Sequence, residues 1–158
     1  MGFVTNIKGP AGQPGSGTRT VVANDVVSAS TGFADVTGLT FAVEASKIIS
    51  FHAYLLRSSS GTGEGANFAI NGPAGAAVRV WRVVFTSATA QISEAQSAYD
   101  TGTLLTTGPG AAMWPVEIFG MVATGGTSGT LAIRFRTETG GANSTTVRRG
   151  SFAIWYTN

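Results

Sequence analysis

The chain has 158 residues, no cysteine and a formal net charge of +2, from eight arginines and two lysines set against eight acidic residues. Disulfides and thiolate chemistry are excluded, and so small and scattered an excess of charge is not the basic patch that nucleic-acid binding requires. No run of about 18 apolar residues offers a membrane span, and the N-terminus lacks the basic region and apolar core of a secretory signal, so a protein made in a reducing cytosol is expected.

Charged residues make up only 11% of the chain, against about 25% in ordinary soluble domains. A surface so poor in charge is built from hydroxyls and small residues, or is partly covered by neighbouring subunits. The 22 glycines suit short strands joined by tight turns. A chain of this length forms one domain and buries roughly 70% of its unfolded surface.

Residues 1–17 read as a short extended arm. Phe3, Val4 and Ile7 form an apolar anchor, and Gly9-Pro-Ala-Gly12-Gln-Pro-Gly15 carries glycine at every third place for barely two collagen-like triplets, too few for a free triple helix. The segment is either a solvated linker or an arm that crosses to a neighbour. Residues 18–158 then read as a β-sandwich domain. Thr18–Val27 is a first strand with a break at Asn24-Asp25. Leu39, Phe41 and Val43 alternate with Thr40 and Ala42 in the next. Lys47–Arg57 is apolar on both faces: Ile49, Phe51, Ala53 and Leu55 on one, Ile48, His52, Tyr54 and Leu56 on the other. That predicts a central strand, or one covered by a second subunit.

Ser58–Gly65 reads as a flexible loop tip, and Asn71-Gly72-Pro73 as a turn. Residues 76–86 set Val78, Val80 and Val84 against Trp81, Val83 and Phe85, with Arg79 and Arg82 interrupting. The helical spacing of Ile92, Ala95 and Tyr99 suggests a loop with one helical turn over residues 87–100, followed by a short edge strand at 102–107 and a strand at 114–123 that tolerates Pro115 near its start. The closing segments, Gly129-Thr-Leu-Ala-Ile-Arg-Phe-Arg-Thr-Glu138 and Thr145–Tyr156, read as a hairpin with a bulge at Gly150. Leu131, Ile133 and Phe135 share one face of its first arm; Phe152, Ile154 and Tyr156 share one face of its second. Eight to ten short strands and no amphipathic helix predict an all-β fold, an antiparallel jelly-roll-like sandwich.

No catalytic constellation emerges. His52 is the sole histidine, and with no carboxylate or nucleophile motif beside it a structural hydrogen bond is the expected role. Ligands for a metal are lacking, no cofactor is implied, and Glu117 and Glu138 are not paired by any motif. Gly61-Thr-Gly63-Glu-Gly65 lacks the lysine and helix of a phosphate loop and reads as a mobile tip. Asn143-Ser-Thr145 matches a glycosylation acceptor only by chance without secretion. Arg134, Arg136, Arg148 and Arg149 are the one concentration of charge, either a solvated sheet face, an inter-subunit site for Glu138 or Glu44, or an anion contact. Trp81, Trp114, Trp155 and Tyr156 are either core mass or sugar-stacking rings.

The closing run 129–156, with Asp35-Val-Thr-Gly-Leu-Thr-Phe-Ala-Val-Glu44, Ile49-Ser-Phe-His-Ala-Tyr-Leu-Leu56 and the Asn71-Gly-Pro73 turn, resembles small virion structural proteins of tailed bacteriophages with a C-terminal β jelly roll. The Gly-Pro-Ala-Gly piece is similar to the collagen-like segments that precede their trimeric heads. That resemblance implies a non-enzymatic virion protein, assembled in the host cytoplasm. The short arm favours a capsid decoration or head-spike protein bound to the major capsid protein or another virion protein; the alternative is a tail-tip or fibre-knob subunit that binds a host receptor or surface glycan. Two-faced apolar strands predict a homotrimer, with Ile48, Tyr54, Leu56, Trp81, Val83 and Phe85 as contact candidates.

Overall fold

A computed structural model describes residues 17–86, 90–102 and 108–158. The anchor residues Phe3, Val4 and Ile7 lie outside the described residues, as do positions 103–107 of the expected edge strand. Eleven strands follow in order: β1 (Thr18–Val21), β2 (Val26–Ser28), β3 (Ala34–Val43), β4 (Ile48–Ser59), β5 (Ala66–Asn71), β6 (Ala77–Phe85), β7 (Gln91–Gln96), β8 (Trp114–Ala123), β9 (Gly129–Thr137), β10 (Thr145–Val147) and β11 (Phe152–Thr157). They form an all-β antiparallel sandwich, jelly-roll-like in the way the chain repeatedly changes sheet. The large sheet runs β1-β11-β4-β8-β6-β7, with β10 and β2 continuing beside β4; the small sheet is β3-β9-β5.

β4 is central, flanked by β11 and β8 along most of its length, as its two apolar faces predict. Its inward residues Ile49, Phe51, Ala53 and Leu55 meet Val78, Val80, Val84, Val116, Ile118 and Val122 in the core, closed from the small sheet by Leu39, Phe68, Ile70, Leu131, Ile133 and Phe135. Trp155 is fully buried, stacked on Phe41 of the opposite sheet at 5.6 Å and on Phe51 at 5.0 Å, and its indole N–H donates to the Thr20 hydroxyl at 2.9 Å.

Four expectations change. The closing segments are not a hairpin: β9 pairs with β3 and β5, whereas β10 and β11 pair with β4 in the other sheet. Each arm has one apolar face to bury, and placing them in opposite layers turns both inward. The inward residues of β11 are accordingly Ala153 and Trp155, while Phe152, Ile154 and Tyr156 point outward. The first strand is two, β1 on β11 and β2 on β10, because the Asn24-Asp25 break matches the bulge at Arg148–Ser151. There Gly150 takes φ 84° and its N–H donates to Val22 O at 2.9 Å, and the Asp25 carboxylate accepts from Arg148 Nη1 and Arg149 N, both at 2.8 Å.

Residues 91–96 form a strand, not a helical turn. β6 offers an unpaired edge, and β7 pairs with it from Val80–Gln96 to Phe85–Gln91; tertiary pairing overrides the local spacing. The Ser58–Gly65 segment is pinned rather than free. Glu64, nearly fully buried, accepts from the Thr139 hydroxyl at 2.7 Å, the Glu138 and Thr139 backbone N–H groups at 3.0 and 3.1 Å, and the Thr137 hydroxyl. Glu138 returns the tie by accepting from Gly65 N at 3.0 Å.

Desolvation opposes ionisation of Glu64, but the Thr137 and Thr139 hydroxyls and two backbone N–H groups together outweigh it and hold its carboxyl below the ordinary glutamate range. A depressed carboxyl stabilises the fold above its unfolded value and loses that contribution as pH falls through its folded value. Glu64→Gln is expected to cost about 1–3 kcal/mol at neutral pH and to flatten the acid limb of stability below the ordinary value of 4.5. Urea titrations at pH 7 and pH 3.5 check both.

Candidate functional site

The outward side of the large sheet is where the apolar residues without a partner gather. Alternation along β4 and β6 sends Ile48, Ser50, His52, Tyr54 and Leu56, and Arg79, Trp81, Val83 and Phe85, to this side. The register aligns them into cross-strand rows. One row reads Arg19, Ile154, His52, Phe119, Trp81, Ala95; the next reads Val21, Phe152, Tyr54, Glu117, Val83, Ser93. Tyr156, Ser50, Met121 and Arg79 form a third. All six residues expected at a subunit contact therefore share one surface. Ile48, Tyr54, Leu56 and Trp81 are exposed, Trp81 by 47%, whereas Val83 and Phe85 are half-buried.

Ring contacts run across the sheet. Trp81 stacks on Phe119 with centroids 6.3 Å apart, Phe119 meets His52 at 5.3 Å, His52 stacks on Tyr54 at 4.1 Å, and Tyr54 meets Phe152 at 5.2 Å. The Arg19 guanidinium caps the row, 4.6 Å above the Phe152 ring. Met121, exposed by 53%, widens the apolar area. Phe119, Met121, Phe152 and Ile154 were not among the expected contact residues. Their signal was present in the alternation of β8 and β11, but which parity faced outward depended on the sheet assignment.

Two polar groups sit inside this surface. His52 Nε2 lies 3.5 Å from Glu117 Oε2, and the Tyr54 hydroxyl is 3.1 Å from His52 Nδ1. The hydrogen-bonding role expected of His52 is thus filled by Tyr54, on its own strand. Glu138 lies at the end of β9 with Gly65, so the structure does not bring Glu117 and Glu138 together. No group of three or more metal-ligating side chains occurs among the described residues, and no described helix is long and apolar enough to cross a membrane.

The expected arginine cluster divides between the sheets. Arg134, on the outer side of β9, pairs with Asp35 at 2.9 Å and with Asp100 and donates to Phe33 O at 2.6 Å. Arg136 covers the Phe33 ring at 4.9 Å, and Arg148 serves Asp25. Within the chain their carboxylate partners are Asp35, Asp100 and Asp25, while Glu44 lies 3.9 Å from Lys47.

Two arginines are instead buried. Arg57 ends the inward row of β4 beside Trp114 and donates to Phe85 O at 3.3 Å, and desolvation lowers its pKa to about 10. Arg82 donates to Glu94, to the Asn67 side chain and to Phe68 O at 2.7 Å; desolvation, then Arg136, lowers its pKa to about 10. The tryptophans also separate: Trp155 is core, Trp114 is half-buried on Arg57, and Trp81 is exposed.

No family model and no curated protein matches the chain. Among solved structures it is similar to the infectious bursal disease virus VP2 subviral particle, with 10% identity over 89% of this chain and a TM-score of 0.25. It is likewise similar to the Gx strain of that virus, with 13% identity over 89% of this chain and the same TM-score of 0.25. This chain spans 40% and 39% of the length of those two.

Proposed function

We propose that the chain is a non-enzymatic structural protein of a phage virion, a capsid decoration or head-spike subunit that assembles as a homotrimer and docks through residues 1–17. The observation that carries this reading is the uncovered aromatic surface of the large sheet. Apolar patches beyond a few hundred Å² are rare on monomers and mark interfaces. Here the patch crosses the whole sheet and lies on strands held rigidly by their neighbours, so it is a built surface. Three subunits that turn this side towards a common axis cover it without new secondary structure.

The major capsid protein or another virion protein is the docking partner in this reading, and the apolar anchor Phe3, Val4 and Ile7 is the part that engages it. Removing residues 1–17 is expected to leave a folded, self-associated protein that no longer binds capsid particles, measured by co-sedimentation. Retained binding would refute the anchoring role.

One observation favours a second reading, a tail-tip or fibre-knob subunit that binds a host glycan. Trp81 and Phe119 form an open ring platform with Glu117 and His52 beside it, and sugars pair an aromatic stack with such hydrogen-bonding groups. A glycan array separates the two: binding lost in Trp81→Ala supports the knob.

A further inference from the structure

We infer that the occupant of the outer surface of the large sheet is a second copy of this chain, and that His52 and Glu117 make that contact proton-linked. This rests on the self-assembly reading above and adds its control. The surface approaches the size a stable contact needs: six strands at about 4.8 Å spacing and averaging about 8 residues give on the order of 750 Å², and a standard interface buries about 800 Å² per partner.

His52 and Glu117 lie in the middle of that area, on adjacent strands and in adjacent rows. Packing a second copy over them removes both from water. The cost of that step depends on how many protons the pair holds. With one proton between them the pair is neutral overall, whether as imidazolium and carboxylate or as imidazole and carboxylic acid. With none, a carboxylate is buried without its counter-charge; with two, an imidazolium is. Either state opposes association.

The other ionisable groups facing this site come from every strand packed on it. Arg19 of β1 lies over Phe152, Tyr156 belongs to β11, Tyr54 to β4 and Arg79 to β6, while β7 presents only Ser93 and Ala95 here. Guanidiniums and phenols as classes do not change charge between about pH 4 and 8. The Tyr54 hydroxyl adapts to both forms of the imidazole, donating to a bare Nδ1 and accepting from a protonated one. The proton count of the surface in this range is therefore set by His52 and Glu117.

Association is consequently strongest where each His52–Glu117 pair holds one proton. On either flank it weakens by up to about tenfold per pH unit for each copy that buries its pair in the contact, the limit for one proton per pair. Sedimentation equilibrium of the full chain from pH 4 to pH 8.5 reads the dissociation constant directly, with far-UV circular dichroism confirming the fold at each point. The expected profile is a bell. His52→Gln together with Glu117→Gln should still associate but with a flat profile. His52→Gln alone should lose the bell and show one transition of opposite sign to the parent's acid flank, tightening as Glu117 takes up its proton. Self-association with a flat profile in the unmodified protein overturns the proton linkage and leaves the assembly reading intact; a monomer at every pH overturns both.

Discussion

A protein carrying Trp81→Lys and Met121→Lys is expected to be a folded monomer at concentrations where the parent self-associates. The two side chains sit on the exposed side of β6 and β8, exposed by 47% and 53%. Neither strand loses a backbone hydrogen bond, and the ring contact sacrificed among the described residues is the Trp81–Phe119 stack, about 1 kcal/mol. In the interface the loss is far larger. A buried tryptophan anchor is worth about 2 kcal/mol or more, and two ammonium groups pressed against an apolar partner add desolvation with nothing to pair. The dissociation constant should rise at least about 100-fold. Light scattering across a dilution series reads that change, and thermal melting confirms that the fold survives. Unchanged assembly would place the subunit contact elsewhere on the molecule.

Trp155→Ala should instead damage the fold itself. The ring is fully buried, stacked between Phe41 of the small sheet and Phe51 of β4, and it holds Thr20 through its N–H. Truncating a buried aromatic side chain costs about 3–5 kcal/mol, a large fraction of the stability of a domain of this size. The loss falls on the seam between the layers and on the attachment of β1 to β11. Denaturant titration is expected to show a correspondingly lower midpoint, and exchange of the β1 amides should speed up first.

The contrast between these two tryptophans shows what the sequence could reveal. Alternation along β4, β6 and β9 identified which residues share a side, and the structure keeps every one of those groupings. It did not reveal which side is inward, because β4 and β6 are apolar on both. That ambiguity is physical: a strand covered on one side by its own domain and on the other by a neighbour carries the same pattern as one at the centre of a monomeric core.

Pairing was the second limit. Gly129–Glu138 and Thr145–Tyr156 look like hairpin arms, and only the crossing of residues 138–144 between sheets separates them. The polar network was legible only as isolated letters. Arg57 and Arg82 looked like interruptions, and Glu64 like part of a loose glycine loop, until the fold gave them Phe85 O, Asn67, Phe68 O and the Thr137–Thr139 turn. A buried charge is recognised by its partners, and those lie far along the chain.

The margins of the small sheet carry one more consequence. On one flank, Phe68 O accepts from Arg82 and Gln96, Ile70 O accepts from Asp100 N, and Asn67 donates to Gly102 O at 2.7 Å. On the other, Val21 O comes so near Gly38 that a Cβ there would stand 2.6 Å from it. On the β5 flank these bonds occupy groups that a foreign strand would need, blunting the usual route by which β proteins grow into endless ribbons. A strand added at that flank would first have to displace the Arg82, Gln96 and Asp100 bonds that already fill it.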